Sequence, residues 1–219
     1  DLESVNHYKD QTDIFFTCHE FSYNKIAEAY EPYLGLIRQM FHKYCSGTLE
    51  EFMEECDVYK LQRPVFESYF EKGFCERTEQ ILIDEVEYEQ ERMRNSIVTM
   101  LQKLSEICPI VIVLNRFQLA SKSTMQLTNR LLQTKNKNIG IVLGVNDVQS
   151  IPEFAHEEWD AICESMDDRN MVYHIGNAGR NMEPDVMDYY SDYESDDGYR
   201  KLNNLVYFLD FDQANHHLS

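Results

Sequence analysis

The stretch Ile110-Val111-Ile112-Val113-Leu114-Asn115-Arg116-Phe117 sets the fold class. An unbroken run of aliphatic residues this short, opened by Pro109 and closed by polar residues, is the signature of a strand buried in an open α/β sheet. Residues 120 to 134 then carry a helical pattern, and Ile139-Gly140-Ile141-Val142-Leu143-Gly144-Val145 is a second apolar run. Strand, helix and strand in that order imply a parallel pair with a crossover helix. If the two runs are neighbours in one sheet, Ile112, Val113, Ile141 and Leu143 should be nearly inaccessible to water and paired in parallel. The polar residues that end them, Asn115 and Arg116 on the first and Asn146 and Asp147 on the second, should then share the carboxyl edge of the sheet, where α/β proteins place their ligands. The plainer reading is that these polar ends only cap the strands.

Working outward, Ile14-Phe15-Phe16-Thr17-Cys18 is a third short strand, ending in His19 and Glu20. Apolar residues at 26, 30, 33/34, 37, 40/41 and 44 form a helical stripe interrupted by Pro32, a residue suited to a first helical turn. Shorter helices are predicted near 49 to 57 and 64 to 72. A long helix is predicted over 76 to 107, with a solvated middle (Asp84 to Arg94), a packed end (Ile97, Leu101, Leu104) and a stop at Pro109. Downstream, Pro152 opens a helix bearing Phe154, Trp159 and Ile162, and Met171 to Ile175 reads as a strand. Residues 183 to 199 hold seven acids and four tyrosines without a single Lys or Arg, a pattern expected of an exposed acidic loop. Leu202 to Leu218 reads as a final helix. The expected organisation is one α/β core over residues 1–180, followed by the acidic loop and carboxyl-terminal helix over 181–219. Residues 1 to 9 read as the far end of a helix, so the core is expected to be incomplete at its amino end.

A chain of 219 residues, 43% hydrophobic, can bury one sizeable core. Its formal charge of -19 repels phosphate backbones and anionic lipid. The densest basic stretch, Lys135 to Lys137, has two charges, so neither nucleic acid nor a membrane is an expected partner. The six cysteines are dispersed without a CxxC pair, as in a reduced cytoplasmic protein, and no apolar segment reaches membrane-spanning length.

Few other constellations carry chemistry. Cys18-His19-Glu20 would place a thiol beside a base, but successive residues of a strand point to opposite faces, so the two do not pair directly. Asp192 to Gly198 has the acid spacing of a calcium loop, with its glycine one place late and Asn203 where the twelfth ligand is required. His216 and His217 have no second ligand pair near them in the sequence.

Taken in order, Phe16-Thr17-Cys18, Ala29-Tyr30-Glu31-Pro32, Ile110 to Ala120 with Ser121-Lys122-Ser123-Thr124, and Ile141 to Asp147 resemble a series of motifs in one family. That family is the nucleotide-binding core of the signal-transduction P-loop ATPases with numerous domains (STAND), relatives of the AAA+ proteins. The stretches match, in turn, a core strand, an alanine-tyrosine-x-proline turn, the Walker B strand with its helix, and the sensor strand. The resemblance covers roughly residues 1 to 175 and implies a three-layer αβα, P-loop NTPase-like fold with a parallel sheet. It also implies a nucleotide-facing role for Asn115, Arg116, Asn146 and Asp147.

Two departures from the family pattern bear on activity. The sequence contains no GxxxxGK[ST], the loop whose amides cradle phosphates and whose lysine reaches them. Active members have an aspartate where this chain has Asn115, and commonly an acid where it has Arg116. Asparagine accepts a hydrogen bond from a metal-bound water but lacks the negative charge that magnesium favours. The resemblance therefore implies a cytoplasmic regulatory or assembly module of a larger signalling protein, without catalytic residues or ATPase activity of its own. ATP and magnesium would enter only in a longer chain, with no cofactor or metal expected for this one, and protein partners or flanking domains would be its contacts. Two alternatives stand beside it: part of an active ATPase whose phosphate loop lies upstream, and an interaction module docking through residues 183 to 199.

Overall fold

The computed structural model describes residues 13–22, 27–75, 86–134, 136–145, 151–167 and 208. Three strands, β1 (Phe15–Glu20), β2 (Ile110–Asn115) and β3 (Ile139–Gly144), form a parallel sheet in the order β1-β2-β3. The register sets Glu20, Asn115 and Gly144 level at the carboxyl edge. Among the described residues six α-helices accompany the strands: α1 (Tyr33–Tyr44), α2 (Leu49–Glu55), α3 (Arg63–Lys72), α4 (Val86–Ile107), α5 (Lys122–Gln133) and α6 (His156–Asp167). The class is mixed α/β with a central parallel strand, compatible with the three-layer arrangement.

Burial of the sheet is uneven. Side chains alternate along a strand, so residues paired in register share a face. On one face Ile110, Ile112 and Leu114 are buried, flanked by Ile139, Ile141 and Leu143, which pack against the core while partly exposed. On the other, Val111 and Val113 are half-buried. Their β3 neighbours explain this, because Gly140 has no side chain to cover Val111 and Val142 beside Val113 is 53% exposed. The parallel pairing expected of Ile112, Val113, Ile141 and Leu143 is present. Near-complete burial holds for Ile112 alone.

Local chemistry sets the helix ends. Residues 27 to 32 form a turn rather than the start of the predicted helix: Tyr30 adopts φ 55°, and α1 begins directly after Pro32, which lacks an amide hydrogen. Thr48 opens α2 with a complete capping box, its hydroxyl accepting from the Glu51 amide while the Glu51 carboxylate accepts from the Thr48 amide. Pro64 lies in the first turn of α3, and Gly73 ends that helix at φ 80°, a conformation suited to glycine.

In α4, Met93, Ile97, Met100, Leu101 and Leu104 form the buried stripe. Packing thus reaches into the stretch expected to be solvated, where Arg94 is only 16% exposed, pairs with Glu91 and donates to Gln126 of α5. Pro109 follows α4 and leads directly into β2, as the sequence predicts.

All six cysteines are thiols. Cys56, Cys75 and Cys108 are buried, whereas Cys18, Cys45 and Cys163 are half-buried. Phe208 is fully buried, edge-on to the rings of Tyr30, Phe66 and Tyr69. The strand predicted at 171 to 175, the acidic loop predicted at 183 to 199 and, Phe208 apart, the helix predicted over 202 to 218 lie outside the described residues, as does the stretch 76–85 of the predicted long helix. No helix among the described residues is long and apolar enough to cross a membrane.

Candidate functional site at the carboxyl edge of the sheet

Asn115 ends the central strand on the face it shares with Cys18 and Glu20 of β1. Its Nδ2 points across the strand gap to the Cys18 sulfur, 3.9 Å away, and its backbone carbonyl accepts from the Phe21 amide at 3.0 Å, carrying the ladder one residue beyond β1. On the β3 side, a Cβ placed on Gly144 would come within 2.8 Å of the Asn115 Oδ1. Glycine at 144 therefore gives the asparagine amide the space it occupies.

Arg116 follows in the left-handed region, at φ 54° and ψ 42°, and leads into a 3-10 turn over Phe117–Leu119. A side chain in this region costs roughly 1–2 kcal/mol relative to the right-handed one. From this position the Arg116 Nε pairs with Glu20 Oε1 at 3.2 Å, both side chains being partly exposed. Arginine thus neutralises the one carboxylate that the β1 end contributes.

The three consecutive residues of β1 go to three different partners. Cys18 faces Asn115 and Glu20 faces Arg116. His19, on the opposite face, lies 3.4 Å from Glu31 through its Nε2 and stacks edge-on to Phe21. Thiol and imidazole are directed apart, as expected from strand geometry.

Glu31 belongs to the Ala29-Tyr30-Glu31-Pro32 turn, which the structure brings against the start of α5. Ser121 caps that helix by accepting from the Thr124 amide, and its hydroxyl donates to the Glu28 carbonyl at 3.0 Å. The Tyr30 amide donates to Ser123 Oγ at 3.2 Å. One helical turn further on, the buried Tyr33 hydroxyl meets Thr128 Oγ1 at 2.7 Å. Burial raises the Tyr33 pKa well above its ordinary value, only partly offset by the Thr128 hydrogen bond, so the phenol stays protonated. Motifs some ninety residues apart in sequence are therefore one hydrogen-bonded unit beside the sheet edge.

Of the four residues singled out from sequence, Asn115 and Arg116 stand together at the edge, while Asn146 and Asp147 lie outside the described residues. The sequence reading missed Cys18 as the asparagine's neighbour and Glu20 as the arginine's partner, since both follow from strand register. Magnesium fits this donor set poorly. Among the described residues no cluster of three or more His, Cys, Asp or Glu could hold a metal, and the edge carboxylate of Glu20 already faces a guanidinium. Comparison of the chain with protein-family models, with curated proteins and with solved structures finds no match.

Proposed function

We propose that the chain is a regulatory or assembly module derived from the ATP-binding core of a STAND or AAA+-type protein, and that it does not itself hydrolyse ATP. The observation that carries this reading is the pairing at the end of the central strand. Where an active member would present acids to magnesium and water, Asn115 spans from Cys18 to Gly144, and Arg116 holds Glu20. An amide and a guanidinium oppose the cation chemistry on which phosphoryl transfer depends. The packing of the Ala29 to Pro32 turn on the Ser121 to Thr124 helix start supports the same derivation, because both stretches belong to the motif series. The module would act through protein partners or flanking domains.

The expected result is background ATP turnover by the native chain, unchanged in the Asn115→Asp and Arg116→Glu variants, because neither restores a phosphate loop. Turnover above background that disappears in Asn115→Ala would overturn the proposal in favour of a working site. A chain extended upstream and assayed in parallel tests the alternative of an active ATPase completed by an earlier segment.

A further inference from the structure

A cleft away from the sheet edge collects charge of the opposite sign to the molecule as a whole. It lies between the connection from α2 to α3 and the middle of α4, has a volume of about 520 Å³, and is lined by Lys60, Arg63 and Arg92 against the single acid Asp57. Uncharged polar residues, Asn95, Ser96 and Thr99, complete its α4 side, and Tyr59 contributes an aromatic ring. In a chain of net charge -19, three cations around one concavity run against the average composition.

Two of the three cations are oriented by specific contacts. Arg92 is fixed: its guanidinium carbon sits 4.1 Å from the Tyr59 ring centroid and 4.2 Å from that of Tyr88, and it pairs with Glu89 at 3.2 Å. Glu89 is itself held by the buried Gln62, whose Nε2 donates to the Glu89 carboxylate at 3.0 Å and to its backbone carbonyl at 3.1 Å. Arg63 uses its Nε on the Val58 carbonyl at 3.1 Å, which orients the guanidinium and leaves its terminal nitrogens for other acceptors. Neither Arg63 nor Lys60 pairs with a carboxylate among the described residues. Asn95 accepts from Arg130 through its Oδ1, so its amide nitrogen remains a donor. Asp57 holds φ 54° in the tight connection that turns the chain back toward α3.

We propose that this cleft binds a small phosphorylated anion. Its volume is that of a small-molecule site, roughly 300–1,000 Å³. Planar guanidinium groups match phosphate oxygens in pairs, and several donors around one concavity favour a multivalent tetrahedral anion over a single carboxylate. The inference is independent of the nucleotide-derived reading of the sheet edge, since none of the lining residues belongs to a strand or to the Asn115 and Arg116 corner.

Inorganic pyrophosphate is the probe, titrated into the whole chain by calorimetry and by following backbone and guanidinium NMR resonances. Saturable binding should shift Arg63, Arg92 and Asn95 signals. Arg63→Gln should weaken it by about tenfold, as expected for loss of a charge-assisted pair. Lys60→Gln should weaken it by about threefold, the scale of an exposed charge contact, and as this side chain is exposed and pairs with no carboxylate, that variant keeps the test valid should Arg63→Gln unfold. Asp57→Asn should tighten binding. Equal affinity in native chain, Arg63→Gln and Lys60→Gln, abolished by moderate chloride, would mean an adventitious ion only and overturn the proposal. Tighter binding of an acidic peptide such as hexaglutamate at the same resonances would overturn it in favour of a protein partner.

Discussion

Arg116 combines a cost with a gain. Its left-handed backbone is unfavourable for a side chain with a Cβ, while the guanidinium gains a partly exposed ion pair with Glu20 worth about 0–1 kcal/mol. In an ordinary helical or extended position alanine is more stable than glycine. Here the order should reverse, with Arg116→Gly more stable than Arg116→Ala by about 1 kcal/mol in urea denaturation, both lacking the ion pair. An Ala variant as stable as the Gly variant would mean that the backbone leaves the left-handed region once the side chain is gone. At Gly144 the logic is steric: Gly144→Ala should turn the Asn115 amide aside, visible as a shifted Asn115 side-chain NMR resonance, with little loss of stability because that side chain is free to rotate and alanine suits a strand better than glycine. Asn115 and Arg116 were legible in the sequence because an apolar run ends on them. Their partners were not, since pairing Asn115 with Cys18 and Arg116 with Glu20 depends on the register between β1 and β2, and register is a property of two strands together.

Among the elements, the start of α5 does the most joining. Ser121 both caps the helix and tethers the turn at Glu28, and Ser123 holds the Tyr30 amide. Ser121→Ala should therefore cost more than a simple cap, about 2 kcal/mol, because the half-buried Glu28 carbonyl loses one of its donors and the Ser123 and Thr124 hydroxyls lose a partner as well. Thr48→Ala, which removes an exposed capping box from the short helix α2, should cost about 1 kcal/mol. Equal losses from the two substitutions in denaturation would show that the link to Glu28 contributes nothing beyond the cap. Strands and helices of the central unit follow the sequence pattern closely, since apolar periodicity and Pro109 mark them. The turn at residues 27 to 32 reads as helix in the sequence because its apolar positions keep helical spacing. Periodicity records which side chains are buried, not the left-handed backbone at Tyr30 that precedes the first turn of α1.

On the scale of the molecule, charge and protonation depend on which segments fold together. Lys60 and Arg63 lie some thirty residues from Arg92 in the sequence, and the three become a cluster only when α4 packs beside the connection from α2 to α3, so a scan for basic runs does not find them. The same assembly buries groups that must remain neutral. Burial pushes the Cys56 and Cys75 thiols up to about 12, with the charge of Glu28 adding to the effect at Cys75, and it raises the phenols of Tyr33 and Tyr69 well above their ordinary range. In the unfolded chain these groups ionise at their ordinary values, near 8.5 for a thiol and near 10 for a phenol. Between those values and the raised ones, the folded state binds more protons than the unfolded state, so stability must fall as pH rises. The stabilisation is fully present below about pH 8.5 and is lost progressively toward pH 12, at no more than about 1.4 kcal/mol per pH unit for each group. Urea midpoints measured between pH 7 and 10.5 should decline above pH 8.5, and the decline should be shallower in a Cys56→Ala, Cys75→Ala variant whatever its absolute stability. A slope unchanged by removing both thiols would mean that Cys56 and Cys75 ionise in the folded protein as readily as in water.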